Sequence, residues 1–153
     1  MSAFVNELDR RFMEMAIALA QDAAQEGEVP VGAIIVRDGE VIATGRNRRE
    51  VLGNALAHAE IEAIDNACKV MGGWRLTGCT LYVTLEPCPM CAGAIINARI
   101  DRVVYGAKDM KAGSAGSLFN LFELPYNHKP LVNSGVLNDR CSEQLEDFFK
   151  ELR

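Results

Sequence analysis

The chain has 153 residues, 49% of them hydrophobic, which suits one folded domain spanning residues 1–153 with a sizeable core. The net charge of −5 comes from the two ends, since residues 29–136 contain ten acidic and eleven basic residues. This balance excludes a broad basic groove for nucleic acid but allows a local phosphate-binding surface. No apolar run approaches the ~18 residues of a membrane-spanning helix, and no signal pattern begins the chain, so we expect a cytoplasmic protein without a membrane partner.

The first predicted elements are a helix and a β-hairpin. Apolar residues recur at helical spacing over 6–25, and Gly27 ends this run. Two strand-like runs follow within 29–47, joined by Asp38 and Gly39, a pair that favours a two-residue hairpin turn. The chain therefore begins with a helix followed by two antiparallel strands.

The rest of the chain alternates between helices and strands. The expected elements are, in order, a loop at 48–56, a helix at 57–70, a strand at 79–85, a helix at 89–98, a strand at 101–107, a loop at 108–117, a short helix at 118–123, a strand at 131–133 and a helix at 138–152. One hairpin followed by this alternation predicts an α/β fold with helices on both faces of a mixed five-stranded sheet. Active sites of such sheets collect at the carboxyl ends of the strands.

Cys88 and Cys91 lie three positions apart, just after a predicted strand. They could form a disulfide, a redox pair, a structural metal clamp or part of a catalytic metal site. With five cysteines and no secretory signal, reduced thiols are expected, which favours metal ligands or redox groups. Both residues lie at a predicted helix start, where the helix dipole and free amides stabilise thiolates. Pro89 suits the first turn, where its missing N–H has no intrahelical partner.

His58 begins the preceding predicted helix, and the helix and strand between it and Cys88 could bring the two helix starts together. One imidazole and two thiolates form a soft N/S donor set suited to Zn²⁺. A structural zinc site closes with four protein ligands, whereas a catalytic site keeps one position for water. The number of ligands therefore separates the two kinds of site.

A fourth ligand would have to come from another cysteine or histidine. Six strand residues put Cys79 roughly 20 Å from Cys88, and ten helical residues put Cys68 roughly 15 Å from His58. Chain geometry leaves Cys141 and His128 open as ligands. Isolated cysteines on apolar helix faces are usually core residues, so three ligands plus water is the preferred interpretation.

Glu60 follows His58 in the same predicted helix start. Two thiolates and an imidazole cancel the zinc charge, so a bound hydroxide leaves the centre anionic and raises the pKa of a carboxylate in the same closed pocket. Such a group suits proton transfer. The simpler interpretation is a glutamate that complements the helix dipole, as we expect for Glu62. Glu60 differs because His58 and the cysteine pair stand beside it.

The residues HAE at 58–60 and PCPMC at 87–91 match the H-x-E…P-C-x-x-C signature of the zinc nucleobase deaminases. The similarity continues through the segments GEVPVGAIIV, GRNRRE, AHAEIEAI, WRLTGCTLYVTLEPCPMCAGAI, RVVYGAKDMKAGSAGSL and FFKELR. The chain thus resembles the bacterial tRNA-specific adenosine deaminases. The resemblance implies a cytidine deaminase-like three-layer α-β-α fold, one Zn²⁺ per subunit and a homodimer whose subunits together shape the RNA surface.

The same resemblance implies a reaction, the hydrolysis of adenosine to inosine at the wobble position of a tRNA anticodon loop. His58, Cys88 and Cys91 would hold zinc, and Glu60 would pass a proton from the metal-bound water to purine N1 and help release ammonia from C6. Asn47 would hydrogen-bond the edge of the flipped base. The residues implied to contact the rest of the anticodon stem-loop are Arg48, Asp109, Lys111, Asn127, Phe149 and Arg153. The lysine-rich tail common in the family does not follow Arg153, so tail-assisted RNA affinity is not expected.

Other interpretations remain open from the residues alone. Asn47 could simply end a strand, Asp109 and Lys111 could be a solvated loop pair, and Phe149 could belong to the core. One alternative function is deamination of a free nucleobase or nucleoside of the guanine or cytosine type, which needs no phosphate contacts. Another is a non-enzymatic zinc module that binds RNA or a protein partner, and replacing Glu60 with alanine would leave its function unchanged.

Overall fold

The sheet begins with the hairpin predicted around Asp38 and Gly39. Both residues have positive φ angles, 52° and 78°, as a two-residue hairpin turn of this hand requires.

The computed structural model describes residues 5–152. Its strands are β1 (Gly32–Arg37), β2 (Glu40–Arg46), β3 (Cys79–Leu85), β4 (Arg102–Ala107) and β5 (Leu131–Asn133). Their order is β2-β1-β3-β4-β5, with β1 antiparallel to both neighbours and β3, β4 and β5 parallel. The predicted mixed five-stranded sheet is confirmed.

The helices follow the predicted order with one addition. They are α1 (Glu7–Gln25), α2 (Arg49–Leu52), α3 (Ala59–Met71), α4 (Pro89–Asn97) and α5 (Asn138–Glu151), with a 3₁₀ turn at Leu121–Glu123. Within residues 5–152 no helix is both long enough and apolar enough to cross a membrane.

The prediction of a loop over 48–56 is wrong for α2, because a carboxylate distant in the chain accepts hydrogen bonds from the first amides of this short helix. Glu28 accepts hydrogen bonds from the N–H groups of Glu50 and Val51 at 3.0 and 2.7 Å.

The helices cover both faces of the sheet, as the α/β prediction requires. One core cluster packs α1 and α5 against the side chains of Ile34, Val36, Tyr82 and Val104. The other packs α3 and α4 against the opposite face, with Ala33, Ile35, Leu81, Val83, Val103 and Tyr105. Successive strand residues point to opposite faces, so each central strand supplies both clusters. Because both faces are buried, the central strands are continuously apolar.

Gly45 lets α3 approach β2 at backbone distance. A Cβ at this position would lie 2.6 Å from the amide nitrogen of Ala63 and would also overlap the carbonyl oxygen of Ala59. The first turns of α3 therefore rest directly on β2. This close packing brings the start of α3 to the sheet edge where β2 ends.

A buried polar group joins α1 to the middle of the sheet. The carboxylate of Asp9 accepts hydrogen bonds from the Tyr82 hydroxyl at 2.6 Å and from both terminal nitrogens of Arg102 at 2.9 Å. Burial alone raises the pKa of Asp9, but the hydrogen bonds from Arg102 and Tyr82 outweigh it and hold the pKa below its usual value. Asp9 also closes a capping box with Asn6 at the start of α1.

Candidate active site

The candidate site lies at one edge of the sheet. β3 and β4 end there side by side, with Leu85 opposite Ala107. Because β1 is antiparallel to β3, its first residues reach the same edge, where Ala33 pairs with Val83. The end of β2 lies opposite the start of β1. The site is thus at the carboxyl ends of β3 and β4, as the sequence predicts for this class of sheet.

Three potential metal ligands meet at this edge. The sulfur atoms of Cys88 and Cys91 each lie 3.6 Å from Nδ1 of His58. The three ligand atoms are all within 4.8 Å of one another, and they form the one cluster of this kind among residues 5–152. The structure therefore brings together the imidazole and the two thiols that the sequence pattern singles out.

Local backbone conformation explains how two helix starts present these groups. His58 and Cys88 are the N-caps of α3 and α4, and both have extended φ and ψ angles. The helix 57–70 predicted from the sequence consequently begins two residues later, because His58 and the residue before it are not helical. Pro89 occupies the first helical position of α4, as expected. Cys91 follows in the same turn and is fully buried.

The other candidate ligands lie elsewhere. The sulfur of Cys141 packs against Gly106 on the face of the sheet that α5 covers. The ring nitrogen Nε2 of His128 lies 2.6 Å from the carbonyl oxygen of Ile100. Cys79 is buried at the opposite end of β3. None of these groups joins the His58 cluster in the described part of the chain, which leaves three protein ligands.

The two cysteines have pKa values shifted in opposite directions. The hydrogen bond with Cys91 lowers the pKa of Cys88 to about 4, against the opposing effect of burial, with His58 contributing to the decrease. The hydrogen bond to Cys88 and burial raise the pKa of Cys91 well above its usual range. The hydrogen bond to Cys88 likewise raises the pKa of His58. The lowered pKa of Cys88 favours its thiolate, which is the form in which a cysteine binds a metal cation.

Glu60 lies in the first turn of α3 and is only 4% exposed. Burial raises its pKa to about 7, and the Cys88 thiolate adds to the effect. A carboxyl group with a pKa near neutrality can both accept and donate a proton under physiological conditions. The raised pKa expected of a carboxylate in this position is therefore present in the structure.

A cavity of about 220 Å³ opens above these groups. Its lining residues are Val29, Val31, Asn47, Arg49, His58, Ala59, Glu60, Leu85, Glu86, Cys88, Asp109 and Ala112. Asn47 and Asp109, two of the residues predicted to contact substrate, thus share one cavity with Glu60 and with two of the candidate metal ligands, His58 and Cys88. Apolar walls with a few convergent polar groups are typical of small-molecule and base-binding pockets.

Asn47 and Asp109 are also held by hydrogen bonds from their own surroundings. The Asn47 amide donates to the carbonyl of Val29 at 3.1 Å and accepts from the N–H of Arg49 at 3.1 Å. Oδ1 of Asp109 accepts the N–H groups of Lys111 and Ala112 at 2.9 and 3.1 Å. Both side chains are therefore fixed at the cavity wall, and neither is a freely rotating surface group.

The remaining predicted RNA contacts lie outside the cavity. Arg48 pairs with Glu62 of α3, with Nε 3.1 Å from the carboxylate, and Lys111 is exposed on the loop beside Asp109. Asn127 is exposed in a separate depression bordered by α4. Phe149 is 45% exposed on α5 and contacts Phe148 edge to face, so it is not a core residue. Arg153 lies outside the described residues.

Sequence analysis missed three residues of this site. Arg49 lines the cavity where Arg48 was expected to face substrate. Glu28 and Glu86 are buried, 1% and 2% exposed. Glu28 accepts hydrogen bonds from the backbone of α2, and Glu86 accepts them from the backbone of the 108–117 loop, and both segments contribute residues to the cavity wall. The signal that could have found them is an acidic residue within a strongly apolar segment, GEVPVGA and TLEPC, because buried carboxylates require specific partners.

Comparisons with known proteins agree with the geometry of the site. Residues 7–153 match the family model described as MafB19-like deaminase. The tRNA-specific adenosine deaminase of Bacillus subtilis (strain 168) is 52% identical over 146 residues, which cover 95% of this chain and 91% of the relative. The tRNA-specific adenosine deaminase of Haemophilus influenzae is 47% identical over 150 residues, which cover 97% of this chain and 87% of that protein.

A solved structure leads to the same family. It comes from a study of A-to-I editing by tRNA:A34 deaminases at the wobble position of transfer RNA. Its TM-score with this chain is 0.85 at 47% sequence identity, and the match covers 88% of this chain and 98% of the other. Together with the three-layer fold and the His-x-Glu and Cys-x-x-Cys groups around one cavity, these similarities identify the chain as a member of the tRNA-specific adenosine deaminase family, a group of hydrolytic enzymes with the cytidine deaminase-like fold.

Proposed function

We propose that this enzyme hydrolyses adenosine to inosine at the wobble position of a tRNA anticodon loop. One observation carries the proposal: the imidazole of His58, the thiol of Cys88 and the buried carboxyl of Glu60 line one cavity, with the thiol of Cys91 clustered beside His58 and Cys88, in a chain of this family. The cavity, about 220 Å³ in volume, can hold a single base but not a duplex. The target adenosine therefore enters as an extruded base.

The donor set of the cluster fits one Zn²⁺ per subunit. Two sulfur atoms and one imidazole nitrogen are the ligands that zinc prefers, and three protein ligands leave a fourth position free. When bound, zinc supplies the Lewis acid that activates water as a nucleophile. His58 and Cys88 border the cavity and Cys91 lies buried behind them, so the ion would be held on the cavity floor.

Glu60 performs the proton transfers that the reaction requires. It accepts a proton from the attacking water and delivers it to N1 of adenine as the water oxygen bonds to C6. The C6–N6 bond then breaks, and Glu60 assists the proton transfer that lets ammonia leave. Water and adenosine thus yield inosine and ammonia. A pKa of about 7, raised by burial, suits a group that must accept and return a proton within one turnover.

The cavity walls and the surrounding surface read the RNA. The amide of Asn47 has one N–H and one acceptor position beyond its two structural hydrogen bonds, and these would pair with the edge of the adenine. Asp109 would contact a nucleotide beside the target. The groups that we propose to contact the RNA farther out are Arg48, Lys111, Asn127, Phe149 and Arg153. A homodimer in the cytoplasm, where tRNA substrates are found, completes the proposal.

Deamination of a free guanine, cytosine or nucleoside is the other candidate on this fold. It is not favoured, because the relatives at 47% and 52% identity, over almost the whole chain, are tRNA-specific adenosine deaminases. A free-base enzyme would also make no use of Lys111 and Arg48, since its substrate has no phosphates. Replacing both residues with alanine therefore separates the two activities.

The decisive experiment offers zinc-loaded protein an anticodon stem-loop with adenosine at the wobble position and, separately, free adenosine, guanine and cytosine. Nuclease digestion followed by chromatography should detect inosine from the stem-loop. A stem-loop with guanosine at the wobble position is the matched control and should give no inosine. Product from the free bases alone would overturn the proposal.

A further inference from the structure

The carboxylate of Glu86 lies at the end of β3 and is surrounded by the loop of residues 108–117. Oε1 accepts the N–H of Asp109 at 3.1 Å and the hydroxyl of Ser117. Oε2 accepts the N–H groups of Ala115 and Ser117, each at 3.0 Å. One side chain that is 2% exposed therefore binds the loop near its beginning and near its end.

The number and kind of these hydrogen bonds allow only a carboxylate at position 86. An ionised carboxylate is acceptor-only, with about four lone-pair sites, and here each oxygen receives two donors. A glutamine would keep one acceptor oxygen but turn an NH₂ group toward two donors.

Gly113 shows how closely the loop encloses Glu86. A Cβ at this position would lie 2.5 Å from Cδ of Glu86, a separation that real side chains do not adopt. The next residue, Ser114, donates its N–H to the carbonyl of Pro87 at 2.9 Å. The loop is thus attached to Glu86 and Pro87, the two residues immediately before the metal ligand Cys88.

The loop held in this way forms one wall of the candidate active site. Asp109 and Ala112 line the cavity, and Lys111 is exposed beside them. We propose that Glu86 is a positioning residue for substrate recognition: it fixes the RNA-facing loop to the segment that carries Cys88, and so sets the distance between the recognised nucleotides and the reacting base. The role in recognition rests on the proposed function, whereas the attachment of the loop does not.

Glu28 provides a matched control within the same chain. It is equally buried, and its carboxylate accepts the N–H groups of Glu50 and Val51, at the other side of the cavity. Its carboxylate accepts these hydrogen bonds from α2 and none from the loop that Glu86 holds, within residues 5–152. Glu28→Gln and Glu86→Gln therefore make the same chemical change at two separate segments.

Amide hydrogen exchange tests the attachment directly. In Glu86→Gln, either the Asp109 amide or the amides of Ala115 and Ser117 should exchange about 10- to 100-fold faster, because an NH₂ group replaces one of the two acceptor oxygens. In Glu28→Gln those three amides should keep their rates. Unchanged rates at all three amides in Glu86→Gln, or an equal increase in both variants, would overturn the proposal.

Single-turnover kinetics with an anticodon stem-loop test the role in recognition. Glu86→Gln should raise the RNA concentration that gives the half-maximal rate about 10-fold, while the maximal rate changes less than about 3-fold. Lys111→Ala should then have a smaller effect in the Glu86→Gln background than in the wild type, because the loop no longer presents Lys111. In the Glu28→Gln background, Lys111→Ala should have the same effect as in the wild type. Additive effects in the Glu86→Gln background would refute the role in recognition.

A milder variant covers the case in which Glu86→Gln does not fold. Ser117→Ala removes the hydroxyl donor and keeps three amide hydrogen bonds to Glu86. Ser117→Ala should raise the amide exchange rates of the loop and the RNA concentration that gives the half-maximal rate, each about 3-fold. If neither quantity changes, the result would count against the proposal. If the wild type forms no inosine, the proposed function fails, and the exchange measurements still decide whether Glu86 holds the loop.

Discussion

Glu60 and Glu86 are two buried glutamates at the same sheet edge with opposite acid–base behaviour. Glu60 has few hydrogen-bond donors, so burial raises its pKa to about 7. Burial alone also raises the pKa of Glu86, but hydrogen bonds from Ser117, Asp109 and Ala115 outweigh it and hold the pKa below its usual value. The two side chains are 4% and 2% exposed, so burial does not distinguish them. The number of hydrogen-bond donors around each carboxyl distinguishes them.

The contrast shows how one residue type takes two roles in a single cavity. A carboxyl with a pKa near 7 exchanges its proton during catalysis, whereas a carboxylate with four donors remains ionised and holds its donors in place. Glu60 suits proton transfer because its carboxyl receives few hydrogen bonds. Glu86 suits a structural role because both of its carboxylate oxygens receive two hydrogen bonds each. The predictions below test this division from the largest expected effect to the smallest.

Metal removal should separate the two roles most completely. Chelation should abolish inosine formation, because the activated water is lost. The loop held by Glu86 should remain protected, since its four donors do not include a metal ligand. Amide exchange at Ala115 in the metal-free and zinc-loaded protein checks this. Exchange in the metal-free protein as fast as in Glu86→Gln would contradict the separation.

Glu60→Gln should lower the maximal rate of inosine formation about 10²- to 10⁴-fold, the usual contribution of a general acid–base group. Zinc content should stay at the wild-type level, because glutamine keeps the shape of the side chain and His58 is untouched. Single-turnover rates and metal analysis on the same preparation measure both quantities. The control is Asp65→Asn, which removes an exposed carboxylate of α3 that pairs with Lys69. A comparable loss of rate in that variant would show that the effect is not specific to Glu60.

The metal-free protein should show the two pKa shifts as opposite effects on stability. Between pH 4.5 and 7 the folded protein keeps a proton on Glu60 that the unfolded chain has released, so the free energy of unfolding falls as pH rises through this window. Glu60→Gln removes this pH-dependent loss of stability. At pH 8 its free energy of unfolding should exceed that of the wild type by on the order of 3 kcal/mol. For Glu86 the sign is reversed: its contribution is present above pH 4.5 and is lost as pH falls below it.

Urea unfolding of chelator-treated wild type and Glu60→Gln at several pH values between 4.5 and 8 measures the difference. The gap between the two proteins should widen from pH 4.5 to about pH 7 and then level off. A constant gap would mean that Glu60 does not titrate in this range, and its assignment as the proton carrier would lose its physical basis.

The smallest effect is expected at the exposed part of the loop that Glu86 holds. Lys111→Ala should weaken binding of the anticodon stem-loop by less than about 10-fold and reduce the salt dependence of binding by about one unit of slope. Binding titrations at several salt concentrations check this. Lys69→Ala is the control, because Lys69 is an exposed lysine near the end of α3, remote from the cavity. Equal effects of the two substitutions would show that Lys111 has no specific role.

Much of this architecture follows from local sequence patterns. The Asp38–Gly39 turn, the alternation of strands and helices and the metal-ligand pattern were all predicted, since each depends on residues close together in the chain. α2 was not predicted, because its first amides depend on Glu28, which lies 22 and 23 residues earlier in the chain. Likewise the sequence could not show that Arg48 pairs with Glu62 while Arg49 faces the cavity. Side-chain partners of adjacent arginines are decided by packing.

The sequence by itself determined the chemistry available to this protein: an imidazole, two thiols and a carboxyl at two helix starts, on a sheet whose apolar strands are covered on both faces. Only the tertiary structure decided which groups meet and in what ionisation state. Glu60 and Glu86 are the same residue type, and each follows an apolar residue in the chain, yet one has its pKa raised and the other has its pKa lowered. The physical reason is that a pKa depends on burial and on the count of nearby donors, and here most of those donors come from distant residues.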